Sequence, residues 1–142
     1  MAALDSGLIP AELYREFLLH MPVVCVDLLV RRGSQYLLVK RRDEPLKGQW
    51  WVPGGRILKG EMVLEAAIRK LRAETGIDAN SFRFIGYYED FYEKSAFDVP
   101  CHSISIVYET DVKEDAVKID ATSEDFRWEW GLPPRLRFKL NP

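Results

Sequence analysis

The chain is poor in cysteine and histidine, with two of each in 142 residues, and it has no long apolar run and no large excess of either charge. Cys25 and Cys101 are too few for a disulfide framework, and their apolar neighbours mark them as small core residues. The longest apolar stretch, 22–30, is interrupted by Asp27 and is shorter than the about 20 residues that a membrane span needs. The first ten residues lack the charged and apolar regions of a secretory leader, so a cytoplasmic, reducing location is expected. Twenty Lys and Arg against 22 Asp and Glu give a net charge of −2, which excludes a chain that is basic throughout. A nucleic-acid partner is therefore not expected, and neither is a membrane. With 47% hydrophobic and 30% charged residues and no repeat, the composition is that of a globular domain rather than a disordered or collagen-like chain. One domain over 1–142 is expected: a helical segment at 1–20, a core at 21–132 and a short tail at 133–142.

What is present is patterned. Leu13, Phe17 and Leu18 recur at helical spacing after Pro10, which predicts a short helix over 9–20. Residues 23–31 and 35–41 read as a strand pair around the turn 32–34. Residues 42–50 are polar and hold Pro45 and Gly48, so they read as a loop, and Pro53-Gly54-Gly55 reads as a second loop whose backbone can approach a ligand closely. The strongest helix signal covers 61–75, with Gly76 as its stop. Strands are expected at 82–92, 102–110 and 126–130, and Pro133-Pro134 discourages a long final helix. Hairpins outnumber crossovers, so the fold class is α/β of the α+β kind, built on a mixed sheet.

At about 100° per residue, Val63, Leu64, Ala67, Ile68 and Leu71 share an apolar face of the 61–75 helix. Glu61, Glu65, Arg69 and Arg72 share a charged arc. Ala66, Lys70, Ala73 and Glu74 share a third arc, on which Glu74 is the only carboxylate. Alone, this is an ordinary solvated helix. Gly54-Gly55-Arg56 just before it changes the weighting, because backbone N–H groups and a guanidinium there can face phosphate oxygens. A carboxylate on the same helix can then share a divalent cation with a diphosphate.

The segment from Gly55 through Glu61, then Arg69 to Ile77, resembles the Nudix box, G-x5-E-x7-R-E-U-x-E-E-x-G-U, where U is a bulky aliphatic. Gly55, Glu61, Arg69, Leu71, Glu74, Gly76 and Ile77 match at full spacing. Lys70 and Ala73 replace glutamates that usually help to bind metal. The resemblance implies a Nudix-type α/β/α sandwich around a mixed sheet, Mg2+ dependence with Mn2+ as an alternative, and substrates in which a nucleoside diphosphate is linked to another group. The GDP-mannose mannosyl hydrolases also lack those two glutamates. The likeness to them continues through 37–41, 45–56, 85–88, Phe91-Tyr92 and Phe126-Arg127-Trp128. In that subfamily water attacks the sugar C1 and the nucleoside diphosphate leaves.

The resemblance assigns roles residue by residue. Glu74 is the metal ligand, joined by Gly54 as a backbone position. Arg41 and Arg56 match diphosphate-contacting arginines with a catalytic share. Asp27 matches a substrate-contacting aspartate, against the alternative of a buried structural carboxylate. Arg69 is carried as a substrate-side residue that either supports the site through ion pairs or only pairs with Glu65. Tyr92 belongs to an aromatic group that serves either as a base platform or as packing, and His102 matches a family histidine at a strand start. The subfamily's histidine base falls on Ser123, which leaves Glu124 and Asp125 as base candidates from the same loop. Three readings compete: a nucleotide-sugar hydrolase cutting at carbon, a pyrophosphohydrolase attacking phosphorus, and a nucleotide-sugar binding module without turnover. A homodimer is implied by the resemblance alone.

Overall fold

The computed structural model describes residues 9–113 and 117–140; the outermost parts of the expected N-terminal segment and tail, 1–8 and 141–142, lie outside them. The elements are α1 (Ala11–His20), β1 (Val23–Arg32), β2 (Gln35–Arg41), β3 (Trp50–Trp51), β4 (Gly54–Arg56), α2 (Val63–Thr75), β5 (Arg83–Tyr92), β6 (Cys101–Asp111), β7 (Ser123–Glu129) and α3 (Pro134–Leu140). They build a mixed seven-stranded sheet in the order β3-β2-β1-β6-β5, with β4 added to β1 and β7 to β2. Among the described residues no helix is long and apolar enough to cross a membrane.

β1 is the centre. It runs parallel to β6 from Val23↔Ser103 to Arg31↔Asp111. Val26 to Val30 are all buried, Asp27 included, because both sheet faces are covered here. On one face Val26, Leu28, Val30 and Leu37 pack against Ala66, Ala67 and Leu71 of α2. On the other, Leu29, Leu38, Tyr88 and Val107 meet Leu136 of α3, while Leu18 of α1 packs on Val99 and Cys101. The result is helices on both sides of one sheet.

β1 and β2 pair only beside their turn, at Arg31↔Tyr36 and Arg32↔Gln35, and then part. β4 takes over the vacated edge of β1, pairing Cys25↔Arg56, Val26↔Gly55 and Asp27↔Gly54. Bonds from Leu28 N–H to the Pro53 carbonyl (2.8 Å) and from Ile57 N–H to the Val24 carbonyl (2.9 Å) extend that ladder. The Pro53-Gly54-Gly55 segment, expected as a loop, is thus largely strand.

Two more boundaries differ from expectation. α2 begins at Val63 rather than Glu61, because the Glu61 carboxylate accepts the Leu58 N–H (3.1 Å) and closes the preceding loop. Glu65 reaches back to the Met62 N–H (2.8 Å) as the helix cap. Gly76, at φ 75°, ends the helix as expected. The buried side of α2 is also rotated from the sequence reading: Leu64 is exposed, whereas Ala66 and Glu74 are buried. β7 starts three residues early, at Ser123, and pairs along β2 as far as Arg41.

Candidate active site

The parting of β1 and β2 is accompanied by a cavity of about 240 Å³ on the α1 side of the sheet. Asp27 lines it from mid-β1, Arg41 from the end of β2, Gly54 and Arg56 from β4, and Tyr88 and Tyr92 from β5. Alternation along β1 turns Asp27 to the same face as Leu29, away from α2.

Asp27 is 7% exposed. Burial pushes its carboxyl up to about 6, against hydrogen bonds from the Tyr88 hydroxyl and the Trp51 indole and the charge of Arg41. That places a carboxylate able to exchange a proton near neutral pH in one cavity with two guanidinium groups. Arg41 donates its Nε–H to the Pro45 carbonyl (2.6 Å), which fixes the group at the cavity edge. Arg56 stands over the Tyr14 ring at 5.0 Å. Cys25 lines the same wall, but burial and the nearby Asp27 charge push its thiol up to about 12, so it is no nucleophile at neutral pH.

The two glycines of β4 face opposite ways. A Cβ on Gly54 would stand 2.3 Å from the Val26 carbonyl oxygen and 2.6 Å from Asp27 Oδ1. A Cβ on Gly55 would stand 2.6 Å from Lys70 Cε and 3.0 Å from its Nζ. Lys70 therefore lies against β4 from the α2 side. Its ammonium is 3.1 Å from Glu74 Oε2, with the two side chains 17% and 7% exposed. Burial pushes Glu74 upward and outweighs the pull of Lys70; Asp120 adds to the rise, and the Arg41 charge opposes it. Arg41 is thus sensed by both Asp27 and Glu74.

Arg69 grips Glu61 with two bonds, Nε to Oε2 at 2.7 Å and Nη2 to Oε1 at 3.0 Å, and donates to the Arg56 carbonyl at 3.1 Å. This ties the end of β4 to α2.

A family model described as NUDIX domain matches residues 19–141. The chain belongs to the Nudix family. It is 31% identical over 114 residues to the low-salt glycan biosynthesis protein Agl8 of Haloferax volcanii, covering 79% of this chain and 73% of that one. It is 34% identical over 119 residues to an ADP-ribose pyrophosphatase of Methanocaldococcus jannaschii, covering 82% and 68%. Its fold is similar to that of a MutT NUDIX hydrolase from Burkholderia pseudomallei, with TM-score 0.71 at 22% identity over 85% of this chain and 97% of that chain.

Within this Nudix frame the box residues divide by task. Leu71 and Ile77 pack in the core, Gly76 stops the helix, and Glu61 with Arg69 locks the loop. Of the residues assigned to the site, Asp27, Arg41, Gly54, Arg56 and Tyr92 line one cavity. Arg69, expected at substrate, points to Glu61 and the backbone instead, and it does not pair with Glu65. His102 is on the opposite face of β6 from the cavity, 3.2 Å from Glu89 and stacked on Phe91 at 4.3 Å. Glu124 and Asp125, expected as base candidates in a loop, are exposed on β7: Glu124 lies 3.8 Å from Lys40, and Asp125 accepts the Phe126 N–H. The early start of β7 explains this: Asp125 pairs with Lys40 and Ser123 with Arg41 of β2, and Glu124 is the extra residue at the register shift between them.

Sequence reasoning missed Asp90. It falls inside the strand expected at 82–92 and carries no site role there, yet it is 2% exposed and forms a two-bonded pair with Arg135 of α3. Burial acts to raise its carboxyl, but bonds from Arg135 and Tyr92 prevail and hold it below the usual range. The alternation of β5 was the available signal, since Asp90 shares the inward face of Tyr88 and Tyr92.

Nudix hydrolases typically use Mg2+ or Mn2+. The donor set of this chain does not fit such an ion. Among the described residues no three His, Cys, Asp or Glu side chains converge. Ala73 supplies no donor and faces solvent. Glu74, expected with Gly54 as the metal set, is already held by an ammonium, and that charge repels a dication at the same carboxylate.

Proposed function

We propose that this chain is a hydrolase of a nucleoside diphosphate derivative, and specifically of a nucleotide sugar of the GDP-mannose type. Water attacks the sugar C1 and the nucleoside diphosphate leaves. The observation that carries this reading is Asp27, raised to about 6 and sharing a cavity with Arg41 and Arg56. Ionised Asp27 takes the proton from the attacking water, held in orientation by the Tyr88 hydroxyl and the Trp51 indole. Arg41 and Arg56 stabilise the negative charge that develops on the departing diphosphate. No step passes through a metal ion. Residues 21–132 form the catalytic core in this reading, and the protein acts as a cytoplasmic homodimer, a stoichiometry that light scattering checks.

Attack at phosphorus is the second reading, favoured by the 34% identity to an ADP-ribose pyrophosphatase. Lys70 and Ala73 in place of two box glutamates weigh against it, since multi-metal activation of water at phosphorus depends on such carboxylates. Turnover of GDP-mannose and ADP-ribose in oxygen-18 water separates the two. Label in the free sugar supports attack at carbon; label in a nucleoside phosphate refutes it. Tight binding without any product from either substrate identifies a binding module and refutes the hydrolase reading.

A further inference from the structure

Asp90 and Arg135 do not line the cavity, yet they hold a residue that does. Tyr92 lines it and donates its hydroxyl to the Asp90 carboxylate. Arg135 holds that carboxylate with two bonds, Nε to Oδ2 at 2.9 Å and Nη2 to Oδ1, and the Phe91 N–H adds a third at 3.1 Å. The same guanidinium stands 5.1 Å from the centre of the Tyr92 ring. Arg135 therefore grips Tyr92 twice, at its ring and through the acceptor of its hydroxyl. α3 fixes Arg135 in turn. Leu136, the next residue, is buried against Leu29, Leu38 and Val107, and Lys139 donates to the Glu89 carbonyl (2.9 Å). A carboxylate stripped of water is a weak source of stability even when paired, whereas a guanidinium fork bound at two points holds geometry well.

We propose that Arg135 and Asp90 are positioning residues for Tyr92: they brace its ring as a wall of the cavity, so that the short C-terminal helix sets how tightly the cavity holds its ligand. With its hydroxyl committed to Asp90, Tyr92 offers the ligand an apolar ring face, which suits a flat ring rather than a charged group. Neither Asp90 nor Arg135 touches the ligand, so their influence on it passes through residue 92. The brace stands on this geometry, and its effect on a nucleotide sugar rests on the proposed function.

The test uses the full chain, labelled with carbon-13 at the tyrosine ζ position, and GDP-mannose as probe. Tyr92→Leu assigns the Tyr92 resonance. Arg135→Met is expected to shift that resonance, to weaken GDP-mannose binding in calorimetry about tenfold, and to raise KM while kcat stays within about twofold. In a Tyr92→Leu background the same Arg135→Met change is expected to alter affinity by less than about twofold, because the route from the helix to the cavity is gone. Arg135→Lys keeps a charge on Asp90 but loses the fork, and it is expected to move the resonance and the affinity in the same direction; it is read in place of Arg135→Met if that variant does not fold. An unmoved Tyr92 resonance, a loss carried by kcat with KM unchanged, or equal Arg135 effects with and without the Tyr92 ring overturns the proposal. If the wild type does not bind GDP-mannose, the substrate reading fails, and the Tyr92 resonance alone judges the brace.

Discussion

Replacing Asp27 by Asn separates a proton-transfer role from a structural one. Raising a carboxyl from 3.8 to about 6 corresponds to about 3 kcal/mol, at about 1.4 kcal/mol per pKa unit. A carboxyl raised on folding holds its proton more tightly in the folded state. Its contribution therefore favours folding below about 3.8, fades as pH climbs to about 6, and has become a cost above that. Asp27→Asn removes this titration, so wild-type stability should fall by about 3 kcal/mol relative to the variant between pH 4 and pH 7, read by urea denaturation at several pH values. The amide retains an acceptor for one donor, and the Tyr88 hydroxyl keeps its bond with Ser105, so the variant folds. Its kcat/KM should drop by about 10²–10⁴-fold, the usual weight of a general base. Wild-type kcat/KM should rise with pH to a plateau above about 6. Activity in the variant within a few-fold of wild type, or a wild-type profile with no inflection near 6, refutes Asp27 as the base. Parallel stability curves for the two proteins refute the burial argument.

Three further perturbations check the frame. Arg135→Ala leaves the buried Asp90 with bonds from Tyr92 and the Phe91 N–H and a Lys139 contact at 3.8 Å, so denaturation at pH 7 should show a loss of about 1–3 kcal/mol. Arg69→Ala frees Glu61 and the Arg56 carbonyl; a thermal melt should register about 1–3 kcal/mol, with a fall in kcat/KM as the β4–α2 connection loosens. Gly54→Ala sets a methyl 2.3 Å from the Val26 carbonyl oxygen, so the β1–β4 ladder should part and activity should be lost, with faster amide exchange at 25–28 as the readout.

The architecture was legible where the signal is local. The apolar run 23–30 marks a strand covered on both faces, and Gly76 marks a helix end through a backbone conformation that other residues adopt with strain. Arg41, Gly54, Arg56 and Asp27 could be grouped from the sequence, and they line one cavity, because the box places the glycine loop and its arginine and an aspartate inside an apolar run calls for a reason. Pairings between distant residues were not legible. Asp90 meets Arg135 across 45 positions, and nothing around either residue announces it. The extension of β7 is set by the neighbouring strand β2, so residues 123–125 read as loop until that partner is known. The rotation of α2 went unread because Lys70 and Glu74 conceal each other's charge, which lets two ionic residues replace Leu64 on the buried side.

The exchange of neighbours along β1 gives the cavity walls of unequal stiffness. Asp27 and Gly54 are held in one continuous hydrogen-bonded ladder, whereas the walls at 44–46 and 95–97 belong to no strand and Tyr14 of α1 meets Phe97 by ring contact. Changes in those walls can reshape what the cavity admits while Asp27 and Gly54 stay in register, so a related chain could admit a different ligand without rebuilding the β1–β4 ladder.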